Sequence, residues 1–259
     1  MHLLSDTRIR ADEGRRLAVG TRRRDQQESG RAAPLRAVMP TGSRTLATDV
    51  FERIRADILY CRVDPGTRLL FTPLRKRYRA SLSPLREALM RLAVEGLVQW
   101  IDLKGFRVAP MSREELVDIT NTLLELEALV IRLAIEKGNQ SWAAGIRACL
   151  QRLGSRDRIS DDGREWEASE TLFRDALYAA CGSPWLMLLC RQSFDRFSRY
   201  RYLHAKQTKS TRVVASLDEN IMHAVVARDV DAAIRLLKQN RKMIVETILA
   251  HWRSPVRRA

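Results

Sequence analysis

Histidine and cysteine are scarce in this chain of 259 residues, four of each, and neither is clustered. Cys61, Cys149, Cys181 and Cys190 show no C-x-x-C spacing and no pairing with histidine of the kind that holds zinc, so they read as reduced core thiols. His2, His204, His223 and His251 are scattered, and no Ser/His/Asp or Cys/His set is evident. No glycine-rich loop is present to cradle a phosphate, so neither an enzyme nor a cofactor is expected. No apolar run approaches the roughly 18 residues that a membrane span needs. The arginine-rich start also lacks the apolar stretch of a signal peptide, and a cytoplasmic location is the expectation.

Positive charge is plentiful: 46 Lys and Arg stand against 31 Asp and Glu, a formal charge of +15. Such an excess favours polyanionic partners and says nothing about fold. It is denser early in the chain, because residues 45–110 hold 12 basic and 7 acidic groups while the longer stretch 111–259 holds 24 and 19.

Residues 1–44 are rich in Arg, Asp, Gln, Gly and Ser without a sustained apolar period, so they read as a disordered basic arm. The alternative is an upstream start, with Met39 as the first translated residue. From Leu46 the pattern turns helical, with Val50, Phe51, Ile54 and Ile58 at spacings of three and four. Asp64-Pro65-Gly66 is a turn. Thr72-Pro73 reads as cap and first residue of a short basic helix, and Ser81 or Ser83 caps the next, which ends at Glu95-Gly96. Leu97 to Ala109 reads as two short strands joined near Asp102-Leu103-Lys104-Gly105. The expected fold over 45–110 is a winged helix-turn-helix with a small β-hairpin wing.

Beyond it, Ser112-Arg-Glu-Glu115 is a capping box opening a long helix with the apolar stripe Leu116, Ile119, Leu123, Leu126, Val130 and Leu133. Further helices are expected near 140–153, 162–181, 184–205, 211–227 and 230–252, making 111–253 an all-α six-helix bundle followed by a tail at 254–259. The chain is thus mainly α.

A helix-turn-helix sends its second helix into the major groove, so early polar residues reach base edges while flanking cations hold phosphates. Ser81, Ser83 and Arg86 occupy that leading part, with Arg86 placed for a bidentate contact to guanine. Arg75, Arg77 and Arg79 are expected on phosphates, and Lys104 with Gly105 at the wing tip. A solvated basic face is the bland alternative. Residues 191–212 mix seven Lys and Arg with Phe194, Phe197, Tyr200 and Tyr202. Aromatics at helical spacing are expected to pack while the charges stay solvated, though such a mixture also suits stacking on single strands.

Pro65-Gly66, Ser81-x-Ser83-Pro84-Leu85-Arg86-Glu87-Ala88-Leu89, Arg91-Leu92, Glu95-Gly96-Leu97-Val98 and Gly105-Phe106-x-Val108 together resemble the N-terminal domain of GntR-type bacterial transcriptional regulators. Over 112–252 the chain resembles the FCD (FadR C-terminal domain) effector domain, in Leu126-Glu127, Phe173 with Leu177, Gly182-x-Pro184, Ile221-x-x-Ala224-Val225, Asp229 and Ala233. Six helices are similar to the shorter, VanR-like members. The resemblance implies a homodimer on a double-stranded operator, controlled by a small metabolite and acting as a repressor. It departs at Leu82, where the family carries an arginine that contacts DNA; leucine has no donor to offer. A rival reading is a nucleic-acid binder of low specificity without an effector.

FCD domains commonly hold a metal with an Asp and three His, and by position those become Glu170, Arg174, Asp218 and Asn240. With every imidazole gone, no metal is expected. Glu170, Asp218 and Asn240 fall on apolar stripes, where a charge needs a partner. The expectation is that the Arg174 guanidinium stands in for the cation, braced by Glu170 and Asp218, and offers itself to a carboxylate- or phosphate-bearing effector. A closed internal ion-pair network is the alternative. His223 matches no family ligand position and reads as a surface or packed residue.

Overall fold

Residues 45–154, 164–208 and 219–253 are described by the computed structural model, and they belong to one compact unit. Thr45 opens α1 (Leu46–Leu59), its Oγ1 accepting the Thr48 amide at 3.2 Å and satisfying one of the helix's unpaired donors. Val50, Ile54 and Ile58 face a core that they share with Leu85, Leu89 and Leu92 of α3 (Leu82–Val94) and with Phe106 and Val108. Between them lie the two-residue strand β1 (Arg68–Leu69) and α2 (Phe71–Tyr78). The latter starts two residues before the Thr72-Pro73 pattern predicts: Leu70 holds the cap position without a side-chain bond, and Pro73 falls within the first turn, where its missing N–H costs nothing.

The hairpin is present as β2 (Val98–Ile101) and β3 (Gly105–Val108), with Trp100 opposite Phe106. The third strand, β1, was not foreseen; it pairs with β3 in the antiparallel order β1-β3-β2, and two residues are too few to show a period. α3 closes in a Schellman turn. Leu97 N donates to Leu92 O at 3.0 Å and Gly96 N to Ala93 O at 3.0 Å, with Gly96 at φ +70°. A Cβ at Gly96 would also meet the Arg196 guanidinium, which can swing aside. Gly96→Ala is therefore expected to lower stability by about 1–2 kcal/mol through the backbone alone, read as a lowered midpoint in thermal denaturation.

Ser112 caps α4 (Arg113–Lys137) by accepting the Glu115 amide at 3.1 Å. The reciprocal half of the box runs through a third residue. Ser112 N donates to the Tyr200 hydroxyl at 3.2 Å, and that hydroxyl donates to Glu115 Oε2 at 2.6 Å. Five more helices follow among the described residues: α5 (Gln140–Gly154), α6 (Arg164–Tyr178), α7 (Pro184–Thr208), α8 (Glu219–Val226) and α9 (Val230–Ala250). A 3-10 turn, Ala179–Cys181, takes the place of the expected last turn of α6. No helix among the described residues is long and apolar enough to cross a membrane.

The buried stripe of α4 differs from the expected one. It runs through Leu116, Ile119, Leu123, Glu127 and Val130, and leaves Leu126 and Leu133 half-buried. Likewise α9 buries Leu237, Arg241, Ile244 and Ile248, with Asn240 only half-buried. In both helices a step of four replaces a step of three, because a charge with a partner displaces its less polar neighbour from the interior.

Candidate nucleic-acid interface and bundle interior

Ser81 occupies the N-cap of α3 with extended backbone, yet its hydroxyl makes no capping bond. The expected cap is thus present in position and absent in chemistry. Ser81, Leu82, Ser83 and Arg86 are all exposed, while Leu85, Ala88 and Leu89 fill the core from the opposite face. Arg79 makes the turn between α2 and α3 at φ +51°, a conformation that costs an L-residue about 1–2 kcal/mol. It lines a shallow concavity of about 490 Å³ with Thr72, Arg75, Lys76, Ala80 and Ser81. Three cations around one hollow beside a helix N-terminus suit a phosphate. Lys76 was not singled out from the sequence, although it stands between two arginines that were.

Arg77 is placed differently from its neighbours. Its Nη2 lies 2.7 Å from Asp57 Oδ2 of α1, an oxygen that also accepts the Tyr78 hydroxyl at 2.7 Å, so Arg77 is committed to holding α2 on α1. At the wing, Lys104 is exposed beside Leu103, which adopts φ +58°, and Gly105 sits at φ +77° with open space where a Cβ would be. The strand register brings together a pair that sequence reasoning missed. Arg68 and Arg107 are direct partners across β1 and β3, and the buried Arg107 Nε has no hydrogen-bond partner. Like charges directly opposite repel, and an anion laid across the wing would relieve them.

The bundle interior is rich in guanidinium groups. Arg174 of α6 is buried, its Cζ 3.4 Å from the centroid of the Phe194 ring, and its Nη1 has no hydrogen-bond partner. Arg241 and Arg201 approach the same ring at 5.4 and 5.7 Å. Arg241 is held by Glu127, wholly buried, through bonds of 2.8 Å and 3.2 Å, and the Tyr178 hydroxyl donates to Glu127 Oε1 at 2.7 Å. Burial and the Glu127 charge hold the Tyr178 phenol well above its ordinary range, so it remains a donor. Burial, with Glu127 beside it, pushes the Cys190 thiol up to about 12, which makes it inert.

The four effector positions predicted from the sequence are therefore only partly in view. Arg174 is interior, and Asn240 yields the interior to Arg241. The side chain of Glu170 and the whole of Asp218 lie outside the described residues. The expectation that the charges of 191–212 stay solvated is also corrected, since Arg199 and Arg201 are each 2 % exposed. The aromatics Phe194, Phe197 and Tyr200 pack inside, as expected.

Arg199 donates to Ala109 O at 2.7 Å, Lys206 to Cys61 O at 2.9 Å, and Arg55 of α1 pairs with both Glu95 and Asp195. Helix α7 thereby ties the bundle to the winged helix. Burial raises the Asp195 carboxyl, while Arg55 and then Arg174 pull it down. Among the described residues no group of three or more His, Cys, Asp and Glu is placed to hold a metal ion.

Comparison with known proteins agrees with this geometry. Residues 46–108 match the bacterial regulatory proteins of the gntR family and residues 118–240 match the FCD domain. The HTH-type transcriptional repressor GlaR of Escherichia coli is 34 % identical over 200 residues, 74 % of this chain and 90 % of that protein. The HTH-type transcriptional regulator BphR of Paraburkholderia xenovorans is 30 % identical over 210 residues, 79 % of this chain and 86 % of that one. In three dimensions Escherichia coli McbR/YncC matches with a TM-score of 0.67 at 20 % identity, over 81 % of this chain and 99 % of its own. With a winged helix whose α3 carries an outward Ser-Leu-Ser and Arg86, and a helical bundle docked behind it, the chain belongs to the GntR family of bacterial transcriptional regulators and carries an FCD domain.

Proposed function

We propose that the protein is a dimeric repressor whose hold on a two-fold operator is controlled by a small carboxylate- or phosphate-bearing metabolite in the FCD bundle. The DNA half rests on the exposed leading end of α3 with Arg75, Lys76 and Arg79 around the hollow beside it. Repression is the role of the similar transcriptional repressor GlaR. Leu129 of α4 with Trp185 and Leu189 of α7, two helices packed on each other, are exposed apolar residues that a second copy would cover. The observation carrying the effector half is Arg174, a buried guanidinium with an unpaired Nη1 and an aromatic ring as its nearest described support. Its ring partner Phe194 adjoins Asp195, which pairs with Arg55 beside Glu95, the C-cap of α3. A ligand that draws Arg174 off Phe194 thus acts on the helix that carries the strut to the recognition element.

The test is fluorescence anisotropy with an operator fragment and an unrelated duplex at one salt concentration, repeated with a panel of di- and tricarboxylates and sugar phosphates. A specific regulator gives a ratio of roughly a thousandfold or more; a ratio near unity leaves a low-specificity binder. An effective acid is expected to shift operator affinity by about 5- to 150-fold. Arg174→Met keeps the packing on Phe194 and is expected to bind the operator as well as the parent while ignoring the acid. A neutral isostere acting equally well, or an unchanged response in Arg174→Met, would overturn the effector half.

A further inference from the structure

We infer that Leu82 reads the operator, selecting a thymine by its 5-methyl group; the inference rests on the operator reading above. Leu82 is the first residue of α3, directly after the N-cap, and 49 % of it is exposed. The core does not need it: Leu85, Ala88, Leu89 and Leu92 are fully buried on the other face, and Leu82 is absent from the cluster they form. A leucine at the leading tip of a recognition helix, set between two exposed serines, is therefore held out toward whatever the helix meets.

What it can recognise follows from its chemistry. It has neither donor nor acceptor, so against the polar edges of guanine, adenine or cytosine it strips water and returns nothing. In the major groove the apolar group on a base edge is the thymine methyl. Arg86 lies four residues on, one helical turn along the same ridge, so the two side chains address neighbouring base pairs. Each half-site should then pair a guanine read by Arg86 with a thymine read by Leu82 within a step or two. Where an arginine at position 82 would ask for guanine, this chain asks for a methyl group.

The experiment selects sites for the full chain from a random duplex library, then replaces each thymine of the enriched site singly by uracil, which removes the methyl and leaves every hydrogen-bonding atom. Wild type is expected to lose about fourfold in affinity at one thymine per half-site, the worth of one buried apolar carbon. Leu82→Ala, at an exposed position, should fold normally, bind both versions alike, and match the wild type on the uracil duplex. Selection repeated with Leu82→Arg should replace that thymine by guanine. A motif in which no thymine shows methyl dependence, or a dependence that survives in Leu82→Ala, overturns the inference and leaves the operator reading standing. Failure to enrich any sequence removes both.

Discussion

Arg86→Ala is expected to weaken operator binding by at least thirtyfold while leaving affinity for an unrelated duplex within about threefold. A guanidinium forked onto guanine contributes about 1–3 kcal/mol of discrimination, and the proposed two-fold dimer would lose the contact twice, so roughly 2–6 kcal/mol is at stake. The side chain is exposed on the outward face of α3, so stability should be unchanged and the loss cannot be charged to unfolding. Arg86→Lys separates recognition from charge. It keeps the cation but not the planar fork, so it should restore non-specific binding and little of the specificity. Anisotropy titrations of both variants against operator and unrelated DNA at fixed salt decide the matter; equal losses on the two duplexes would mean that Arg86 touches phosphate.

Much of the winged helix is legible because its boundaries are written in residues with few conformational choices. Pro65-Gly66, the serine before α3, and Gly96 at positive φ each permit little else, and the apolar steps of α1 and α3 put Val50, Ile54, Leu85 and Leu89 in one core. Two features escaped. The strand β1 is two residues long and exists through its partner β3, and the capping box of α4 recruits Tyr200 from a helix 85 residues away. Neither has a local signature.

The bundle interior was harder for a specific reason. Helical periodicity permits steps of three or four; hydropathy favours Leu126 over Glu127, and the resemblance to the family's ligand positions favours Asn240 over Arg241. The rule that charges avoid the interior fails when two of them meet, since Glu127 satisfies three N–H contacts of Arg241 and one hydroxyl at zero exposure. A signal was present: each charge lies four residues beyond one buried apolar residue and three before another, between Leu123 and Val130 and between Leu237 and Ile244. The same logic that placed Glu170 on an apolar stripe would have paired these two.

Glu127→Ala should be the most damaging single change in the bundle. It takes the Glu127 carboxylate away from the Arg241 guanidinium, 7 % exposed, and leaves the Tyr178 hydroxyl without its acceptor. Breaking one side of a buried pair costs about 3–5 kcal/mol, and for a chain of this size that is a fall of roughly 6–20 °C in the unfolding midpoint. The cost belongs to the buried charge left behind, deprived of Glu127, more than to the lost attraction. Glu127→Leu combined with Arg241→Met should accordingly recover part of the stability, because an apolar pair of similar volume removes both buried charges and their desolvation together, while the Tyr178 hydroxyl is still left without its acceptor. Tyr178→Phe, which leaves the pair intact, should cost about 1.5–3 kcal/mol for one bond to a charged acceptor. Thermal unfolding followed by circular dichroism ranks the three. A double variant as unstable as Glu127→Ala would mean that the cluster holds the bundle by the shape of these side chains and not by their charge.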